Sequence, residues 1–161
     1  MHILFYTGLL LVGIVLQLKI VPLFAIRNIT PDLVLIIIIS ISVRSGRLTG
    51  IIFGFISGII FDFFGSGFVG VSSLSSCLAA FFAGYWGNEQ FERRVDLMVG
   101  LLFLTIFIHD IVYFPILSIG SLTGFWSVIF KNVIPHTFYT LVFVAIFYLI
   151  FPRFFWIQNR Y

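Results

Sequence analysis

Charge is the scarcest thing in this sequence. Only 9% of its 161 residues are Asp, Glu, Lys or Arg, against about 25% in an ordinary soluble domain. So few ionic groups cannot cover a surface facing water, which excludes a soluble globular chain. Cysteine is nearly missing too. Cys77 stands alone, so no intramolecular disulfide forms, and its apolar neighbours make it a small packed side chain. The nine Lys and Arg are scattered through short loops. There is no basic face or stripe of the kind nucleic-acid phosphates require.

The catalytic signatures are absent as well. The chain has no G-x-S-x-G elbow, no P-loop and no HExxH. Its three histidines, at positions 2, 109 and 136, have neither Cys partners nor the HxxxH spacing of a metal site. The expectation is a non-enzymatic chain without cofactor or metal. The longest polar segment, residues 87–96, is too short to fold alone, so residues 1–161 read as one integral membrane domain.

What the sequence does have is apolar length. Hydrophobic residues make up 61% of it and the mean hydropathy is +1.19. Charges divide it into apolar runs at about 2–24, 31–45, 47–64, 68–86, 96–117 and 128–151. A spanning helix needs roughly 17–25 residues, and most of these runs reach or approach that. The pattern predicts an all-α, polytopic membrane helix bundle of six transmembrane helices, the second one short. The first run reads as a retained helix, since Met1-His2-Ile3-Leu4 lacks a basic region and no small-x-small cleavage site follows. In the second run, Thr30-Pro31-Asp32 predicts a helix start, with a hydroxyl cap, Pro at the first helical position and an acid at the positive dipole end. A helix from Pro31 to about Gly46 spans only if Arg44 snorkels to the interface; otherwise it is re-entrant.

Basic residues set orientation. Six spans with an internal N-terminus place Arg44, Arg47, Arg93, Arg94, Arg153 and Arg160 in the cytoplasm, and Lys19, Arg27 and Lys131 outside. Five spans with an external N-terminus leave only Lys131 outside. Both schemes agree after Arg44. The count of basic residues prefers five spans; the helix-start signal at Pro31-Asp32, together with the family resemblance given below, favours six, with both termini cytoplasmic.

Polar residues inside apolar runs are the candidate sites. Gly50, Gly54, Gly58 and Asp62 recur every four residues, building a ridge that drifts by about 40° per step. Such a ridge admits another helix closely, within the bundle or from a partner. Asp62, near its helix end, is placed to accept hydrogen bonds from the next helix's N-terminus around Gly67–Gly70. His109 and Asp110 form a second polar island. Adjacent helical residues point about 100° apart, so each is expected to find a different neighbour, as buried polar glue between helices. A proton relay needs more acids than Asp62 supplies. His136, beside Lys131 and Asn132, reads as an interfacial solvated residue. Ser72, Ser73, Ser75 and Ser76 read as packing and backbone-bonding residues.

The order Pro31-Asp32-Leu33-Val34-Leu35, then Arg44-Ser45-Gly46-Arg47-Leu48-Thr49-Gly50, then Gly54 to Asp62, followed by Gly65-Ser66-Gly67-Phe68-Val69-Gly70, resembles the MreD family of rod-shape membrane proteins. The diagnostic part covers about residues 31–86. The resemblance implies a six-helix, S-component-like subunit of the bacterial cell-elongation complex in the inner membrane. It implies binding to MreC and, through it, to MreB and the RodA–transpeptidase pair that builds lateral peptidoglycan. The family's distant likeness to vitamin-transporter S-components supplies the alternative, a substrate-binding transport subunit. S-components commonly use an Ala-x3-Ala face on the first helix. Here that helix has Gly8 and Gly13 and no such repeat. The Gly50/Gly54/Gly58/Asp62 ridge and the Pro31-Asp32 helix are then expected to build or present the partner surface.

Overall fold

The computed structural model describes residues 2–26, 29–64, 68–87, 95–119 and 124–150. Among these residues the fold is helical, with no named strand and only an isolated bridge between Ile26 and Ile29. The helices are α1 (His2–Lys19), α2 (Leu33–Ser45), α3 (Arg47–Phe64), α4 (Val71–Trp86) and α5 (Val95–Leu117). The last, α6, runs without a break through Phe125–Val128, a π-helical turn at Ile129–Val133, and Ile134–Ile150. Arg93, Arg94, Ser66 and the C-terminal arginines lie outside the described residues.

Three helices are long and apolar enough to cross a membrane by themselves, Arg47–Phe64, Leu97–Leu117 and Phe125–Ile146, while the apolar stretches Leu4–Lys19, Leu33–Ser45 and Val71–Trp86 are shorter. Burial shows why the shortest is tolerated. One side of α2 packs Val34, Ile38 and Ile41 into a cluster with Tyr6, Leu10 and Phe53. Its other side packs Leu35 and Ile39 against Ala79, Ala83 and Ile106. A helix of 13 residues is about 20 Å long, less than the roughly 30 Å of a bilayer core. It is covered by neighbouring helices rather than lipid, so its ends are satisfied within protein.

The distribution of polarity is that of a membrane bundle. Large apolar side chains face outward, Leu4 being 81% and Phe63 76% exposed, while Ser42, Ser57, Thr105, Asp110 and Thr140 are fully buried. Lipid is the solvent that the first set suits and the second avoids.

Three boundaries depart from the sequence expectation. The first run does not continue as one helix to residue 24. Pro22 cannot donate to the ladder, and its ring opposes the carbonyl four residues back, so α1 stops at Lys19 and Val21–Phe24 forms a 3-10 turn. The second helix is capped by Asp32 rather than Thr30. Asp32 Oδ1 accepts from the Leu35 amide at 2.8 Å, which leaves Pro31 ahead of the cap with its carbonyl accepting from Gln17 Nε2. The sixth helix begins at Phe125, one turn before the expected start.

Helices α2 and α3 are joined through Gly46 alone, whose φ of +86° suits a residue without Cβ. Arg44 and Arg47 flank it, both exposed. From that joint α3 runs back along α4, and α4 packs on α2, α3 and α5. Cβ atoms built on Gly50 and Gly58 would run into Ser42 and into the Ser72–Ser73 backbone respectively, and one on Gly54 would lie 3.0 Å from the Ser76 carbonyl oxygen. The same test at Gly8 meets nothing within 4 Å.

That contrast sets an internal control. Gly58→Ala should destabilise the bundle by about 1–3 kcal/mol, the usual cost of overpacking. Gly8→Ala should be neutral or gain up to about 1 kcal/mol of helix propensity. Thermal unfolding of the two purified variants in the same detergent measures both, and equal melting temperatures would contradict the packing described.

Candidate functional site

Three groups of polar side chains sit within the apolar bundle, two of them centred on a carboxylate, and a further tie lies at its surface. The first is at the α3–α4 hairpin. The N-terminus of α4 exposes backbone amides that its own ladder cannot use, and its cap residue is Gly70, which has no side chain to offer and a φ of +102°. Asp62 supplies the missing acceptor from the preceding helix. Its Oδ2 accepts from the Gly70 amide at 2.8 Å and its Oδ1 from the Ser72 amide at 2.9 Å. The Ser73 amide and hydroxyl donate to Oδ2 at 3.3 and 3.0 Å. Asp62 is thus an N-cap delivered in trans, 7% exposed, with its charge at the positive end of a helix dipole. Gly58 lies one turn before it, where the α4 backbone comes closest, and so lets the carboxylate reach.

The ridge is therefore occupied. Gly50 faces Ser42 of α2, and Gly54 and Gly58 face the α4 backbone. The close approach that the four-residue spacing calls for is made within this chain, so these glycines build the fold and do not lie open for a partner helix. Beside them, Ser42 Oγ donates to the Ala80 carbonyl, and Ser75 Oγ bonds back to the Val71 carbonyl at 2.9 Å.

The second group closes the start of α2. Gln17 of α1 accepts from the Leu33 amide at 2.8 Å and donates to the Pro31 carbonyl at 3.0 Å. The Asp32 amide donates to Thr140 Oγ1 of α6 at 3.4 Å. One short polar stretch thus ties α1, α2 and α6 together. The surface tie joins the 3-10 turn to α6, the Tyr139 hydroxyl donating to the Phe24 carbonyl at 2.6 Å.

The last group is centred on Asp110, which is fully buried. Thr137 Oγ1 donates to its Oδ2 at 2.7 Å, and His136 Nδ1 lies 2.9 Å from the same oxygen. His109 Nδ1 lies 3.0 Å from Oδ1. Both imidazoles face Asp110 through Nδ1, which leaves each Nε2 on the far side of its ring. Two sequence expectations are corrected here. His109 and Asp110 do pair, because rotation about their side-chain bonds closes the gap that their 100° Cβ separation opens. His136 is not merely solvated, since its side chain is mostly buried against Asp110.

Thr137 and Gln17 were not singled out from the sequence at all. The signal available was the run His136, Thr137, Thr140 in an otherwise apolar helix, whose spacing places a polar stripe on one side of α6. Asp62 and Asp110 engage separate donors and not each other. Among the described residues no group of three or more His, Cys, Asp and Glu is arranged to hold a metal ion.

The two carboxylates should differ in what their loss costs. Asp62→Ala strands three amides and a hydroxyl, at about 1–3 kcal/mol for each group left buried without a partner, and should abolish a stable fold. Thr137→Val removes one donor of three from Asp110 and should cost only about 0.6–1.7 kcal/mol, the range found for polar contacts between membrane helices. Folded yield by size-exclusion chromatography in detergent, with melting temperature, checks the ranking.

A sequence profile described as rod shape-determining protein MreD matches residues 1–157, so the match runs through every helix described above. No curated protein and no solved structure matches the chain. With the profile extending over essentially its whole length, the chain belongs to the MreD family of rod shape-determining membrane proteins.

Proposed function

We propose that this chain is a non-catalytic, multi-pass subunit of the bacterial cell-elongation complex, set in the inner membrane with both termini in the cytoplasm. In this reading it supports lateral peptidoglycan synthesis by binding MreC, and through MreC it meets the MreB filament and the RodA–transpeptidase pair. The observation that carries the proposal is the family match over residues 1–157. The geometry supports it from another side. Asp62 and Asp110 each hold one helix to the next, which is the work of a scaffold.

The glycine ridge and the Pro31-Asp32 helix start serve this role from inside. The ridge is closed by α2 and α4, and the α2 start is closed by Gln17 and Thr140. A partner helix must then lie on the outward faces, where apolar side chains such as Leu11, Val12 and Val15 of α1 are exposed. Arg44 and Arg47 beside Gly46, together with Arg93 and Arg94, form the basic cytoplasmic end in this orientation.

Depletion of the protein in its host tests the reading directly. Rods should become round and swollen, with or without added vitamins, and MreC should no longer co-purify with the synthases. Normal rods that grow only with an added vitamin would instead make the chain a substrate-binding transport subunit.

A further inference from the structure

Where α1 ends and α2 begins, the bundle holds a partly open cavity of about 720 Å³, with exposed Lys131 and Asn132 at its edge. That lies within the roughly 300–1,000 Å³ of small-molecule sites. Its lining is unlike the rest of the interior. Most of the buried core packs aliphatic side chains, whereas this cavity is walled by charged, amide, hydroxyl, imidazole and aromatic groups from α1, α3, α4, α5 and α6 and from the residues just ahead of α2. A scaffold has no need of a polar hollow of this size, because among the described residues no buried side-chain nitrogen or oxygen lacks a hydrogen-bond partner.

The lining specifies a chemistry. His109 reaches the cavity yet is only 5% exposed. Asp110 holds its Nδ1, so Nε2 is the atom left for a ligand, and in a neutral ring with the proton on Nδ1 it accepts. Asp32 adds a negative charge. Its Oδ1 caps α2, and a carboxylate with two oxygens has further capacity. Phe61, Tyr113 and Phe114 add aromatic rings to the wall, which favour a cation. Acceptors, an anion and rings together select a group rich in N–H donors. Lys131 and Asn132 bring the opposite character, a positive charge and an amide, from the π-helical turn Ile129–Val133.

That turn is itself informative. Pro135 has no N–H for the Lys131 carbonyl, and π turns interrupt α-helices most often at functional sites. Here the interruption falls where Lys131 and Asn132 join the cavity wall. A lone metal ion does not fit, since no three-ligand group exists among the described residues. Nor does a simple anion, which Asp32 would repel.

We propose that this cavity binds a small zwitterion, its primary ammonium taken by Asp32 with His109 Nε2 as a further acceptor, and its anionic group taken by Lys131. Two sources carry that chemistry, a free amino-acid-like zwitterion and the headgroup of an ethanolamine phospholipid. The inference is independent of the elongation role, because it is read by binding to the purified protein and not by cell shape.

The test uses the full chain, purified in detergent. Native mass spectrometry compares retention of phosphatidylethanolamine, phosphatidylcholine and phosphatidylglycerol, and calorimetry titrates free phosphoethanolamine and glycine. Phosphatidylcholine keeps the charges but lacks N–H donors, and phosphatidylglycerol lacks the cation. The expected result is at least tenfold preference for a primary-ammonium zwitterion. Retention of the ethanolamine lipid alone identifies a headgroup site, and binding of the free compounds identifies a soluble ligand. Asp32→Asn keeps the cap, since Asn serves as well as Asp there, and should lower affinity about tenfold with an unchanged melting temperature. Lys131→Gln should do the same. Equal retention of all three lipids with no binding of the free zwitterions overturns the proposal, as does wild-type affinity in both variants.

Discussion

A helix that begins inside an apolar bundle has no water to receive its first amides. In α4 the difficulty is acute, because its cap is Gly70, a residue that supplies the turn but no acceptor. The carboxylate of Asp62 meets those amides from the end of the preceding helix. For the two to meet, the backbones of α3 and α4 must nearly touch, and the glycine at 58 permits it. Charge, helix dipole and close packing thus converge at one hairpin. The central position of α4, lying against α2, α3 and α5, follows from holding that hairpin shut.

The two ends of the sequence are held differently. Helices α2, α3 and α4 meet through glycine and serine with backbones close together, where dispersion and short hydrogen bonds do the work. Helix α6 carries larger side chains and stands on polar clamps, with Thr137 and His136 on Asp110 and Thr140 on the Asp32 amide. A bundle assembled in two ways need not pack uniformly. The cavity opens along the polar side, between the tightly joined helices and those held at a distance by side chains.

Much of this was legible in advance because lipid makes sequence punctuation strict. The limits of α3 coincide with the run from Arg47 to Phe64, since a charge at one side and glycines at the other end any apolar helix. The direction in which Asp62 acts was legible for the same reason, as its hairpin partner lies only a few residues on. The ends of α1 and α2 were less so. They turn on Pro22 breaking a run and on Asp32 outcompeting Thr30 as a cap, which are contests between neighbours of similar merit. The Asp110 cluster was half hidden. Residue 110 and residues 136 and 137 are brought together by the packing of α5 on α6, and no local periodicity encodes which faces of two uniformly apolar helices will meet.

The single-residue joint at Gly46 has a consequence for how the chain is made. A segment of 13 residues is a poor candidate to leave the translocation machinery alone, since it cannot set both ends at water while its middle sits in hydrocarbon. Helix α3 follows after one residue and is long enough to do so. By length, α2 can reach both faces of a bilayer only with the help of its neighbours, and a single-residue joint makes α3 the first of them to be available.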